Sequence, residues 1–244
     1  MSPNPNIAAL IEQGHQQLDK GDYAAALETF QQAAAEAPQN HQVLYGLGLA
    51  CYRLERYEQA VEYLNQALEV KPNYTLALAR RGMAYKKLKE TQQAEADFQQ
   101  AIALTPGDAD DWRGRGIALG ELGRYEDAVD CFDKAIETKP DDYNAWGNRG
   151  NALDDLERYE DAVASYDKAL EIKPDYYRVW FNRGIVLRDL GRYEEAVASY
   201  EKAIEIKPDD YNAWRNRGNA LRDLEKYEEA VAAYDKAIEI KPDY

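Results

Sequence analysis

The sequence predicts an all-α protein made of repeated helix pairs. Three observations carry this. Seven of the nine prolines stand at 38, 72, 106, 140, 174, 208 and 242, a constant spacing of 34 residues, and a fixed period of that size is the mark of a repeat architecture. Within each period, apolar residues recur three and four positions apart, as one face of a helix requires. No segment alternates apolar and polar residues as a half-buried strand would.

Counted from Ile7, the period defines seven units, 7–40, 41–74, 75–108, 109–142, 143–176, 177–210 and 211–244, after an arm, 1–6, that is expected to be disordered. The fifth unit shows the elements in order. Trp146, Arg149, Gly150 and Leu153 form the stripe of a first helix. The link LERY follows, written LGRY in the fourth and sixth units, where Gly123 and Gly191 suit the left-handed end of a helix. Ala162, Val163, Tyr166, Ala169 and Leu170 then form the stripe of a second helix. The junction KPDDYNAW, at 139–146 and again at 207–214, ends one pair and starts the next. Pro140 disfavours helical geometry in the residue before it, and Asp141 or Asp142 is suited to cap the helix that follows.

Fixed columns run through the units. The eighth position is always Gly, from Gly14 to Gly218, and the twentieth and twenty-seventh are always Ala. The fourth holds Leu and then Trp112, Trp146, Trp180 and Trp214; the twenty-fourth holds Phe30, Leu64, Phe98, Phe132, Tyr166, Tyr200 and Tyr234. A glycine inside a helix costs roughly 1 kcal/mol against alanine. Its recurrence therefore implies close approach of the two helices, with the large side chain at position twenty-four beside the gap. Position seven carries Arg81, Arg115, Arg149, Arg183 and Arg217, and position twenty-five carries Asp133, Asp167, Glu201 and Asp235. We read these as a ladder of ion pairs between helices, with the aliphatic stems packing as leucines would; a row of arginines facing a ligand is the alternative.

The series Trp/Leu, Gly, Tyr, Ala, Phe/Tyr, Ala, Pro at these positions resembles the tetratricopeptide repeat in all seven units. The resemblance implies an α-solenoid, a right-handed superhelix of stacked antiparallel helix pairs with a concave groove. Unit one departs most, with Gln17 and Lys20 where later units are mainly apolar, as suits a solvated end. Unit three has Thr91 where the others have Tyr.

The net charge of −15 disfavours nucleic acid as a partner, because phosphate binding draws on dense Lys and Arg. No apolar run approaches the roughly 20 residues that span a bilayer, so membrane insertion is not expected. The start MSPNPNIAAL has no basic region followed by an apolar stretch, and a cytoplasmic location is the default expectation. Cys51 and Cys131 form no motif, and His15 and His41 lie in different units, so neither a disulfide framework nor a metal site is expected. There is no phosphate-binding Gly-rich loop, and most of the paired acids fall at helix starts or recur on solvent faces. The chain is expected to be neither an enzyme nor a cofactor binder.

The expected function is a protein-interaction scaffold. The resemblance implies a groove lined by positions two, five, nine and twelve of each first helix. Units six and seven place four arginines there, Arg178, Arg188, Arg215 and Arg222, with no acid. An acidic or carboxylate-bearing extended peptide is the expected partner, since the guanidinium fork fits carboxylates. Arg113, Asn148, Asn151, Phe181 and Asn219 complete the expected site. Arg113, Asn148 and Arg178 match part of the family's carboxylate clamp; Ile117 and Asn182 do not. Two alternatives stand: an interaction fragment of a larger protein, or a self-assembling module joined through the last unit. In the latter, Val231, Tyr234, Ala237 and Ile238 are expected to lie uncovered and to dock on a neighbour.

Overall fold

A computed structural model describes residues 5–242. Among them it contains fourteen α-helices and no strand: α1 (Pro5–Lys20), α2 (Tyr23–Glu36), α3 (His41–Arg53), α4 (Tyr57–Val70), α5 (Thr75–Lys87), α6 (Thr91–Ala103), α7 (Ala109–Glu121), α8 (Tyr125–Thr138), α9 (Tyr143–Asp155), α10 (Tyr159–Ile172), α11 (Tyr177–Asp189), α12 (Tyr193–Ile206), α13 (Tyr211–Asp223) and α14 (Tyr227–Ile240). Each predicted unit is one helix pair. The first helix begins at Pro5 rather than Ile7, so Asn6 of the expected arm is helical; residues 1–4 of that arm, like Asp243 and Tyr244, lie outside the described residues.

The described residues divide into two compact units between Pro140 and Asp141, within a Lys-Pro-Asp-Asp stretch of the sequence. The first unit holds α1 to α8 and the second α9 to α14. Within each, a first helix packs on its own second helix, and that second helix packs on the first helix of the next repeat. This stacking of antiparallel pairs is the solenoid that the 34-residue period predicts.

Local signals act where the sequence places them. Asp142, not Asp141, caps α9: its Oδ1 accepts from the backbone N–H groups of Asn144 (3.0 Å) and Ala145 (3.2 Å). Asp210 does the same for α13, accepting from Asn212 at 2.8 Å. The tryptophans hold the junction as well as pack. The indole N–H of Trp180 donates to the carbonyl of Pro174 (2.8 Å), and that of Trp214 to Pro208 (2.9 Å).

The links between paired helices pass through the left-handed region. Gly21, Gly123 and Gly191 have φ of +83°, +76° and +75° there, but Glu55, Lys89, Glu157 and Glu225 hold the same place at +58° to +64°. A side chain costs roughly 1–2 kcal/mol in this region. Glu157→Gly is therefore expected to stabilise the second unit by about 1 kcal/mol, read as a higher urea midpoint. No gain would mean that the strain is relieved elsewhere in the link.

The glycine column is explained by the rings opposite it. A Cβ at Gly150 would stand 2.4 Å from the Tyr166 ring, and one at Gly184 2.6 Å from Tyr200. Tyr166, Tyr200 and Phe30 are fully buried, so these rings occupy the space that the missing side chains leave.

Candidate functional site

In the second unit the first helices α9, α11 and α13 lie side by side, each touching the next. Positions two, five, nine and twelve fall three and four residues apart and share one helix face. On α11 that face carries Arg178, Phe181, Ile185 and Arg188, all half-buried. Phe181 is held from below: its ring stacks on Tyr177 at a centroid distance of 6.2 Å and meets Tyr200 edge-on at 5.9 Å. Arg178 makes no hydrogen bond or ion pair among the described residues, whereas Arg188 and Arg222 each lean on the acid that follows them, Asp189 at 3.3 Å and Asp223 at 2.9 Å. Arg215 and Asn219 of α13 border a cavity of about 330 Å³ completed by Tyr211, Tyr234, Ala237, Ile238 and Lys241.

On α9 the same face is not basic. Gly147 stands at position five, and Asp154 at position twelve. Burial, reinforced by Asp155 and Asp189, pushes the Asp154 carboxyl up to about 6. The face therefore runs from a weakly acidic end at α9 to a basic stretch on α11 and α13.

Two of the expected ligand-gripping asparagines are engaged by the fold instead. The Oδ1 of Asn151 accepts from the Tyr166 hydroxyl (2.9 Å) and from the side-chain amide of Asn182 (2.8 Å). The Oδ1 of Asn219 accepts from the Tyr234 hydroxyl at 2.9 Å. A buried tyrosine at position twenty-four needs a partner for its hydroxyl, and the asparagine at position nine supplies it through the gap above the glycine. Asn148 is half-buried on α9. Arg113 belongs to α7 in the other unit, where it pairs with Asp110 at 2.7 Å and its side chain is only 14% exposed. Arg113 is thus an arginine already held by a neighbour on its own helix.

Unit six breaks the tyrosine–asparagine pattern. Ile185 stands where Asn151 and Asn219 stand in its neighbours, and the buried hydroxyl of Tyr200 has no hydrogen-bond partner among the described residues. An unmade hydrogen bond of this kind costs roughly 1–3 kcal/mol, while a made one contributes about 1 kcal/mol. Tyr200→Phe is expected to raise stability by about 1 kcal/mol, and Tyr166→Phe to lower it by about the same amount. Equal effects of the two changes in urea unfolding would remove the distinction drawn between the repeats.

The arginine column forms the expected ladder. Arg183 pairs with Asp167 of the preceding repeat (2.7 Å) and donates to Ser199 of its own (2.6 Å). Arg217 pairs with Glu201 at 2.8 Å, and Arg149 donates to Ser165 at 2.7 Å. Arg81 differs, since its acid is Asp97 at position twenty-three, while Asn65 occupies position twenty-five of the repeat before. In unit four the corresponding neighbour at position twenty-three is Cys131, and the Arg115 Nε is buried with no partner among the described residues. Both cysteines are free and buried, and burial pushes the Cys51 thiol up to about 11.

Of the four residues expected to lie open on the last helix, two do. Val231 is 57% exposed and Ile238 53%, but Ala237 is 8% exposed and Tyr234 is half-buried. Tyr234 turns inward because its ring fills the gap at Gly218, where a Cβ would lie 2.6 Å from it.

The sequence model of the tetratricopeptide repeat matches at residues 11–75, 52–109, 79–142, 113–177, 148–211 and 181–244. The chain belongs to the tetratricopeptide repeat family. Tetratricopeptide arrays are protein-interaction modules, and this all-α repeat protein has their architecture. No curated protein matches the sequence. Among solved structures it is similar to a chain of the APC/C hetero-tetramer Cut9–Hcn1, with a TM-score of 0.66 at 15% identity over 98% of this chain and 46% of that one. It is also similar to two structures of MamA. One, at 23% identity and a TM-score of 0.54, covers 69% of this chain and 97% of that one; the other, at 19% and 0.50, covers 81% and 95%. At these identities the likeness shows the fold. The tetratricopeptide chain spans under half the length of the Cut9–Hcn1 chain it matches. Among its described residues no group of three or more His, Cys, Asp or Glu could hold a metal ion, and no helix is long and apolar enough to cross a membrane.

Proposed function

We propose that the second unit binds an extended acidic or carboxylate-bearing peptide across α9, α11 and α13, in a cytoplasmic setting. The single observation that carries this is Arg178, a half-buried residue whose guanidinium has no hydrogen-bond or ion-pair partner among the described residues, three residues from the braced ring of Phe181. A guanidinium in that position offers two parallel donors to a carboxylate, and the ring beside it offers an apolar surface to a neighbouring side chain. Arg215, Arg188 and Arg222 extend the basic stretch, although Asp189 and Asp223 offset the last two. Asn151 and Asn219 support the floor by fixing the tyrosines beneath it, with their oxygens already used.

A fluorescent peptide with alternating Glu and Leu, and a Lys–Leu control, test the reading by polarisation at low and high salt. The acidic peptide is expected to bind with micromolar affinity, about −8 kcal/mol, and to weaken with salt. The double change Arg178→Glu with Arg215→Glu should abolish that binding with the helical circular dichroism unchanged. If the acidic peptide still binds, or the Lys–Leu control binds equally well, the assignment of this face is wrong.

A further inference from the structure

Unit six keeps a hydroxyl that its own packing does not use. In units five and seven position twenty-four is Tyr and position nine is Asn, and the two are joined at 2.9 Å, Tyr166 to Asn151 and Tyr234 to Asn219. In units three and four position nine is apolar, Met83 and Ile117, and position twenty-four is then Phe98 and Phe132, with no hydroxyl to satisfy. Unit six combines the apolar Ile185 with Tyr200. Packing accounts for the ring alone. A Cβ at Gly116 would stand 2.6 Å from the Phe132 ring, as one at Gly184 would from the Tyr200 ring, so phenylalanine fills the same gap.

The oxygen of Tyr200 is therefore unexplained by the repeat that holds it. The side chain is 0% exposed, and its hydroxyl has no hydrogen-bond partner among the described residues. A buried donor left unmatched destabilises a fold, and such a group calls for a specific reason. This is not the property of an open end, because α11 packs on α10 and α12 packs on α13, giving unit six a repeat on each side.

The surroundings suit an acceptor brought by a ligand. By equivalence with Tyr166 and Tyr234, the hydroxyl points at position nine, where Ile185 is half-buried on the face that also carries Arg178, Phe181 and Arg188. Phe181 meets the Tyr200 ring edge-on at 5.9 Å. The charges that bear on the hydroxyl are those of Arg188 and Asp189, and burial pushes its ionisation up, so it stays a donor. Arg188 spends one long contact, 3.3 Å, on Asp189, which leaves most of its five donors for another group.

We propose that Tyr200 is a specificity residue of the groove, its hydroxyl donating to one carboxylate of the bound acidic peptide while Arg188 supplies the countercharge. The inference rests on the reading of α9, α11 and α13 as a peptide groove, and it names the seat of one carboxylate within it. The seat is closed in the free protein, and Ile185 opens it by turning its outer methyl to another staggered well. A hydrogen bond to a charged acceptor in a site that excludes water is stronger than one between neutral groups, so the donor that is costly in the free protein discriminates when the peptide is bound.

Polarisation with the Glu–Leu peptide, read beside urea unfolding, tests this. Tyr200→Phe should weaken the peptide about ten-fold and yet raise the urea midpoint, because it removes an unmatched group. Ile185→Asn rebuilds the pairing of units five and seven. It too should raise the midpoint and weaken binding, since the hydroxyl is then taken, and in the Tyr200→Phe background it should cause no further loss of binding. A Gln–Leu peptide should not distinguish wild type from Tyr200→Phe. Affinity of Tyr200→Phe within about three-fold of wild type, or a lower midpoint, overturns the proposal. A Gln–Leu peptide that suffers the same loss overturns the carboxylate seat in favour of a backbone carbonyl. Should Arg178→Glu with Arg215→Glu abolish binding while Tyr200→Phe keeps it, this inference falls and the groove stands. Should the wild type bind no Glu–Leu peptide, both fall.

Discussion

Gly114→Ala is expected to destabilise the first unit by about 2–3 kcal/mol, although alanine is the better helix former. A Cβ at Gly114 would stand 2.5 Å from Thr75 Oγ1 and 2.6 Å from the backbone N of Leu76 and the carbonyl carbon of Thr75. The obstacle is the start of α5, held against α7 by the Thr75 hydroxyl donating to Asp111 at 3.1 Å. Backbone cannot rotate aside as a side chain can, so the two helices must separate. Overpacking of this kind costs roughly 1–3 kcal/mol, beyond which the propensity gain of about 1 kcal/mol is lost in the clash. The control lies on the same helix. A Cβ at Gly120 would find its nearest neighbour, Ala128 Cβ, at 4.0 Å. Gly120→Ala should therefore stabilise α7 by up to about 1 kcal/mol. Native-state hydrogen exchange of the α7 amides reads both effects locally, which matters because repeat arrays need not unfold as one step. Slower exchange in Gly114→Ala would mean that α5 and α7 do not approach as closely as described.

Arg81→Leu is expected to cost about 3–5 kcal/mol, far more than the same change elsewhere in the arginine column. Arg81 grips Asp97 with two parallel bonds, 2.8 Å from Nε and 2.6 Å from Nη2, and a third reaches Asn65 at 2.6 Å. Asp97 is only 4% exposed. Removing the guanidinium leaves a buried carboxylate without its countercharge, the circumstance in which breaking a pair is most damaging. At Arg217 the partner Glu201 keeps 48% of its side chain in solvent, so Arg217→Leu should cost about 0–1 kcal/mol. Adding Asp97→Leu to Arg81→Leu should recover most of the loss, because the charge and its partner then leave together. Thermal and urea unfolding of the four variants make the comparison. Equal losses at Arg81 and Arg217 would show that burial of the acid does not govern the ladder.

Much of the fold was legible in the sequence because a repeat states its packing several times. The eighth-position glycines and the large side chains at position twenty-four identify one contact, and the structure places the Tyr200 ring against Gly184 as that pairing requires. The arginine ladder was legible for the same reason. Its strength was not: Asp97 stands two positions from the expected column, and whether an acid is buried depends on the neighbouring repeat.

The candidate site was less legible. Asn151 and Asn219 read as ligand contacts because they vary at positions that packing does not dictate. Packing does use them, through the hydroxyls of Tyr166 and Tyr234. In unit six Ile185 leaves the hydroxyl of Tyr200 unmatched. A hydrogen bond across fifteen residues between two helices has no local sequence signature. Arg178 and Arg113 look alike in sequence, each with an acid three residues before it, yet Asp110 lies on α7 and pairs with Arg113, whereas Asp175 lies ahead of α11 and pairs with Lys173.

The sequence by itself determined the helix pairs, their period, their caps and the small-against-large contact that stacks them. Each of these rests on spacing along one chain and is repeated often enough to be read. Only the tertiary structure decided which polar groups are already satisfied, which charges are shielded and which apolar residues of the last helix turn inward. Those outcomes depend on what each side chain meets across a helix interface. Tyr234 shows the difference: its place on the last helix led to the expectation that it lies uncovered, whereas its ring fills the gap at Gly218 of its own repeat, as its column requires.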